Sequence, residues 1–210
     1  SNPKAAYAEI SSATRGIFAN GYDPAATNTI DYVTIATLGN AQDFGDGGDP
    51  RYTTAGTQST TRGIIAGGAN PSLVGTYNAI EFITIATTGN SQDFGDLTNS
   101  RHSANATSNG VRGVFMGGGT PSGHNVIDYI TIASTGDAID FGDLGSMTNG
   151  QGCATSDKIR GVFGLGYLAP AYLNVIQQVT IATTGNSVDV GELSTLRHQA
   201  GCLGDAHGGL

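Results

Sequence analysis

The chain has no tryptophan, two cysteines and two methionines in 210 residues, and charged side chains make up only 12% of it. Cys153 and Cys202 are too few for a disulfide scaffold, and they lack the CxxC spacing of a zinc site. They lie at nearly equivalent places on consecutive first strands; a disulfide between them is the geometrically demanding alternative, and two small buried thiols are the expectation. No run approaches the roughly 18 apolar residues of a membrane-spanning helix. Basic residues are scarce, nine against seventeen acidic, for a net charge of −8. Nucleic-acid backbones and anionic membrane surfaces both need a basic partner face, so neither is expected here. The first ten residues, SNPKAAYAEI, lack the basic start and apolar run of a signal peptide, which leaves secretion open.

What is abundant is glycine, 33 residues of 210, together with Thr, Ala and Ile. So much Gly and Thr would weaken every helix interior, which excludes a helical bundle. The glycines keep no three-residue period, which excludes collagen. An apolar share of 38% in regular spacing is too high for disorder. An all-β chain of short strands and Gly-rich turns is what these exclusions leave.

The chain is a tandem repeat. Arg-Gly recurs at Arg15, Arg62, Arg112 and Arg160, at spacings of 47, 50 and 48 residues. Each copy opens an apolar-and-glycine stretch (GIFANGY, GIIAGGA, GVFMGGG, GVFGLGY) and then a β-branched run such as NVIDYITIASTGD. An acidic-aromatic segment closes the unit: Asp43-Phe44-Gly45-Asp46, Asp93-Phe94-Gly95-Asp96, Asp140-Phe141-Gly142-Asp143 and the variant Asp189-Val190-Gly191-Glu192. Arg51, Arg101 and Arg197 follow it, with Lys4 in the matching place at the start. The units run over about 1–46, 47–96, 97–143 and 144–193, with a partial fifth over 194–210, all in a single domain.

Each unit reads as four strands: a small polar one, the Arg-Gly strand, the β-branched strand and the short acidic-aromatic strand. In the third, Ile127, Tyr129 and Thr131 alternate with Asp128, Ile130 and Ile132, which puts apolar groups on both faces. Such a sheet has to be covered twice, as when sheets stack face to face around an axis. Four-stranded units of this period predict an all-β β-propeller of about four blades, with a larger or oligomeric propeller as the alternative. The glycines after each Arg (Gly16, Gly63, Gly113, Gly161) are expected where sheets pack too closely for a Cβ. Gly39, Gly89, Gly136 and Gly185 are expected in turns of positive φ.

The strand order, with Gly67-Gly68 and Gly117-Gly118 closing the second strand, resembles a kelch repeat. The kelch tryptophan is missing, and Phe44, Phe94, Phe141 and Val190 stand roughly in its place. The fuller pattern RGVFxGG…NxIDYITIATTGNxxDFGDL resembles the kelch-like repeats of phage tail-fibre and other virion structural proteins. That resemblance covers the whole chain and implies a virion location and a structural or host-contact role, without implying catalysis.

The repeated carboxylate pairs are the most tempting chemistry, since two carboxylates serve glycoside hydrolysis or bind Ca²⁺. A catalytic pair is needed once, however, not four times, and the DxDxDG calcium pattern is missing. Pairing with the repeated Arg15, Arg62, Arg112 and Arg160 is the expectation. His102 and His198 share a repeat position, His124 lies in a variable loop and His207 at the tail, without metal-ligand spacing. No GxSxG elbow marks a nucleophile. No catalytic residue, cofactor or metal is therefore assigned.

Variation between units concentrates between the second and third strands, in proline-containing segments rich in tyrosine. Tyr22, Asp23, Tyr77, His124, Tyr167 and Tyr172 are the candidate surface-contact residues, suited to a host glycan or a protein. The expected partners are other virion proteins or copies of the chain itself. A secreted bacterial carbohydrate-binding or adhesive propeller is the alternative. First-strand patterns occur five times and the other strands four times, so Arg197 to Leu210 is surplus to integer blades. A longer propeller, a neighbouring subunit or the first blade could take it. The protein is not expected to act as an isolated monomer.

Overall fold

The computed structural model describes residues 6–72, 75–120, 122–150, 152–164 and 166–197. Blade 1 comprises β1 (Ala8–Ser11), β2 (Arg15–Ala19), β3 (Thr29–Thr34) and β4 (Gln42–Asp46). Blade 2 comprises β5 (Ala55–Gln58), β6 (Arg62–Ala66), a small hairpin of β7 (Ala69–Asn70) and β8 (Gly75–Thr76), then β9 (Ala79–Thr84) and β10 (Gln92–Asp96). Blade 3 comprises β11 (Asn105–Ser108), β12 (Arg112–Met116), β13 (His124–Thr131) and β14 (Ile139–Thr148). Blade 4 comprises β15 (Cys153–Ser156), β16 (Arg160–Gly164), β17 (Tyr167–Leu168), β18 (Ala171–Thr180) and β19 (Val188–Arg197). The described residues contain no helix. Each blade is an antiparallel sheet whose four main strands lie in chain order, and the four are arranged as a β-propeller.

The cores lie between the blades. Ile17, Ile30 and Phe44 of blade 1 pack on Ile65, Ile83 and Ile85 of blade 2. Ile64, Ile80 and Phe94 of blade 2 meet Phe115, Ile130 and Ile132 of blade 3. Val114, Ile127 and Phe141 of blade 3 meet Phe163, Val179 and Ile181 of blade 4. The alternation read in the third strand follows directly: Ile127 faces blade 4, while Ile130 and Ile132 face blade 2. Steric room is tight at these joints. A Cβ on Gly63 would come 2.7 Å from Ile10 of blade 1, and one on Gly45 would come 2.5 Å from the Gly89 backbone of blade 2.

The repeated arginines do not meet the Asp-Phe-Gly-Asp carboxylates, contrary to expectation. Arg15, Arg62 and Arg112 instead donate through Nη1 to the carbonyls of Ile85, Ile132 and Ile181 in the next blade, at 2.7, 3.0 and 2.9 Å. Their guanidinium groups lie over the rings of Tyr32, Phe82 and Tyr129, 4.5, 4.4 and 4.1 Å from the centroids. Strand register is the reason: Arg112 stands opposite Thr131, which makes Tyr129 its diagonal neighbour on the same face. Blade 4 has Gln178 at the ring's position, and Arg160 turns to Asp157 instead, at 2.9 Å and exposed. The acidic segments themselves face solvent, with only their central Phe44, Phe94 and Phe141 buried.

Cys153 is disulfide-bonded, which corrects the expectation of a free thiol. The chain's other cysteine, Cys202, lies outside the described residues, as do His198, His207 and the surplus segment beyond Arg197.

Candidate functional site

In an up-and-down blade, the segment between the second and third strands emerges at the same end as the link to the next blade. Here the two are stitched together. Tyr52 and Ala69 exchange backbone hydrogen bonds at 3.0 and 2.9 Å, His102 and Gly119 do so at 3.2 and 3.0 Å, and the Asn149 amide donates to the Tyr167 carbonyl at 2.8 Å. The variable segments of all four units therefore form one loop face.

Beneath that face each link carries a socket. Arg101 Nη2 lies 2.6 Å from Asp128 Oδ2, with both side chains at 0% exposure. Asp128 also accepts from the Thr98 amide and hydroxyl, at 3.3 and 2.6 Å, so its charge is fully occupied. Burial lowers the Arg101 pKa and the Asp128 carboxylate opposes that shift. Arg51 and Glu81 repeat the pair one blade earlier at 2.9 Å, with Glu81 accepting from the Gly48 amide and the Ser91 hydroxyl at 3.2 and 2.9 Å. In blade 4, Thr148 stands where Arg101 would, and Gln177 stands where the acid would. Gln177 Oε1 accepts from the Gly145 amide at 2.9 Å and from the Ser187 hydroxyl.

The six predicted contact residues divide. Tyr22 is exposed, its ring edge-on to Tyr52 with centroids 5.3 Å apart, and Asp23 beside it is half-buried. Tyr172 is also exposed and pairs with half-buried Tyr167 at 5.6 Å. One pair belongs to blade 1 and the link that follows it, the other to blade 4.

Tyr77 is buried, under the Arg51 guanidinium at 5.6 Å, and is not a surface contact. Burial is the first cause of its raised pKa, with Asp49 adding to the rise. His124 is half-buried, and burial lowers its pKa. Asn28, Asn78, Asn125 and Asn174 recur one residue later, so Thr27, Tyr77, His124 and Leu173 share one repeat position. That position points inward. Among the described residues, Thr27 Oγ1, the Tyr77 hydroxyl and His124 Nε2 are buried without a hydrogen-bond partner.

His102 Nδ1 lies 3.0 Å from Ser103 Oγ, and burial lowers the pKa of the imidazole. Ser103 has φ of +55°, but Ala6, Thr53 and Gly150 at the same repeat position also have positive φ, which makes the strain a property of the links. Among the described residues no three His, Cys, Asp or Glu side chains converge as a metal site would require. What the face offers is aromatic: two tyrosine pairs, each with an apolar ring surface and a hydroxyl rim.

No protein-family model matches this chain, and no curated protein matches it either.

Proposed function

We propose that the chain is a non-enzymatic structural protein of a virion, a tail-fibre or appendage module of kelch-like blades that contacts a host-surface glycan through its loop face. The observation that carries this reading is the division of labour within the repeat. The framework recurs blade after blade, while the departures collect at one end and expose Tyr22 and Tyr172 beside partner rings. Paired tyrosines suit sugar rings, which stack their C–H faces on aromatic surfaces and hydrogen-bond at the rim. The resemblance of the repeat pattern to virion kelch-like repeats supplies the setting, and a disulfide at Cys153 fits an extracellular particle.

A secreted bacterial carbohydrate-binding propeller is the second reading, and the same tyrosines and disulfide favour it. Mass spectrometry of purified particles against cell-free secreted protein separates the two. Glycan-array binding tests the shared claim: Tyr22→Ala or Tyr172→Ala should weaken a positive signal by about tenfold or more. An array without signal, for a chain absent from particles, would end the proposal.

A further inference from the structure

Every internal joint uses the same two half-surfaces. The sending half is an apolar trio (Ile64, Ile80 and Phe94 in blade 2) with an Arg whose Nη1 reaches across. The receiving half is a second trio (Phe115, Ile130 and Ile132 in blade 3) with the carbonyl that accepts the Arg. A backbone ladder runs beside them: the amides of Gly89, Gly136 and Gly185 donate to the carbonyls of Phe44, Phe94 and Phe141 at 2.7 Å in all three joints.

The chain carries one further copy of each half, in which Ile35 and Val190 are exposed while Phe18, Val33, Val162 and Ile176 are half-buried, Phe18 against the Tyr7 ring. Blade 1 presents the receiving trio of Phe18, Val33 and Ile35. Ile35 is 58% exposed, whereas its counterparts Ile85, Ile132 and Ile181 are 2, 1 and 0% exposed. Blade 4 presents the sending trio of Val162, Ile176 and Val190. Val190 is 50% exposed, against 2% for each of Phe44, Phe94 and Phe141. Arg160, which would reach the receiving carbonyl, is held by Asp157 at the surface. A Cβ on Gly191 would meet nothing within 4 Å, whereas at Gly45, Gly95 and Gly142 it would strike the next blade at 2.5 to 2.6 Å. No hydrogen bond joins blades 1 and 4 among the described residues.

We infer that the open face of blade 4 docks onto the open face of blade 1 of a second copy of this chain, as a fourth joint of the kind already made three times. Both halves are present on one molecule with matching chemistry. Arg160 has its acceptor in the Ile35 carbonyl, and the Gly39 amide has its acceptor in the Val190 carbonyl. Such a contact is heterologous, so copies add head to tail until a ring closes or a filament grows. The inference does not depend on the virion reading, since it rests on the joints alone.

The trial is light scattering of the full chain with Ile35→Asp, Val190→Asp and Arg160→Ala variants. Wild type should assemble at micromolar concentration into multiples of 21.3 kDa. Ile35→Asp and Val190→Asp should each be monomeric, because each breaks one half of the joint. Mixed in equal amounts they should form a dimer of one copy each and stop, since one intact face of each kind remains. Arg160→Ala, the mildest change, should weaken association roughly tenfold. Thermal melts matching that of dissociated wild type would confirm that the two aspartate variants are folded. A monomeric wild type would overturn the inference, as would a mixture that stays monomeric. Because Arg197 to Leu210 remains in every variant, association persisting in all three would assign the contact to that segment and overturn it equally.

Discussion

Blades 3 and 4 solve the same packing problem with opposite chemistry. The link into blade 3 buries Arg101 against Asp128 with no exposure of either, whereas the link into blade 4 places Thr148 over Gln177. Both arrangements satisfy the acceptor that holds the link: Asp128 takes the Thr98 amide and Gln177 takes the Gly145 amide. What never occurs among these sockets is half an exchange. A lone buried charge costs several kcal/mol, while a matched pair and a neutral substitute come out close to even. The blade that has lost the cation has lost the anion with it.

The comparison breaks hardest if one partner alone is removed. Asp128→Ala leaves Arg101 buried and uncompensated, and should lower stability by about 3–5 kcal/mol in urea unfolding. Moving the blade 4 socket into blade 3, as the double variant Arg101→Thr with Asp128→Gln, should recover most of that loss. The double variant should lie within about 2 kcal/mol of wild type; a double variant as unstable as the single one would show that the socket needs charge.

A smaller difference separates the Arg-Gly arginines. Arg112→Ala removes a hydrogen bond to Ile181 and the contact with Tyr129, and should cost about 1–2 kcal/mol. Arg160→Ala, measured in dilute solution, should stay within about 0.5 kcal/mol of wild type. The least effect is at the turn before Arg160. Ser12, Ser59, Asn109 and Asp157 occupy one position there, and each accepts from the amide of the repeated arginine three residues later. Those backbone bonds are the first cause of the fall in the Asp157 pKa from 3.8 to about 2. A carboxylate depressed in the fold favours the folded state above about pH 4, and that contribution disappears as pH falls through about 2. An NMR titration should place the Asp157 midpoint near 2; a midpoint near 3.8 would mean that the turn bonds are absent in solution.

The blades were legible because period and alternation are properties of the chain. Apolar residues on both faces of a strand, as at Ile127 and Ile130, demand two covering surfaces, and in a chain too rich in Gly and Thr for helices, stacked sheets supply them. Which side chains meet was less legible. Arg112 and the Asp140–Asp143 segment recur together in each unit, yet the Arg's neighbour is set by register, and register puts Tyr129 beside it. Tyr77 reads as a loop aromatic because its surroundings vary, but the Asn78 after it marks the repeat position it shares with Thr27, His124 and Leu173, which points inward. A signal for the sockets was also present: Gln177 and the missing arginine at Thr148 depart in the same blade. The small hairpin of β7 and β8 left no such mark, since its strands are two residues each.

Placing hydrophobic cores between blades, instead of inside them, also decides how the molecule yields to force. Among the described residues, blades 2 and 3 are each clamped by two cores, while blades 1 and 4 are each held by one. Tension along the chain therefore finds its weakest points at the two ends, and peeling an end blade hands its role to the next. Failure proceeds in steps of one blade, each exposing a fresh copy of the same surface. An extra copy docked at either end would move the first yielding point outward, so that assembly and mechanical strength rise together.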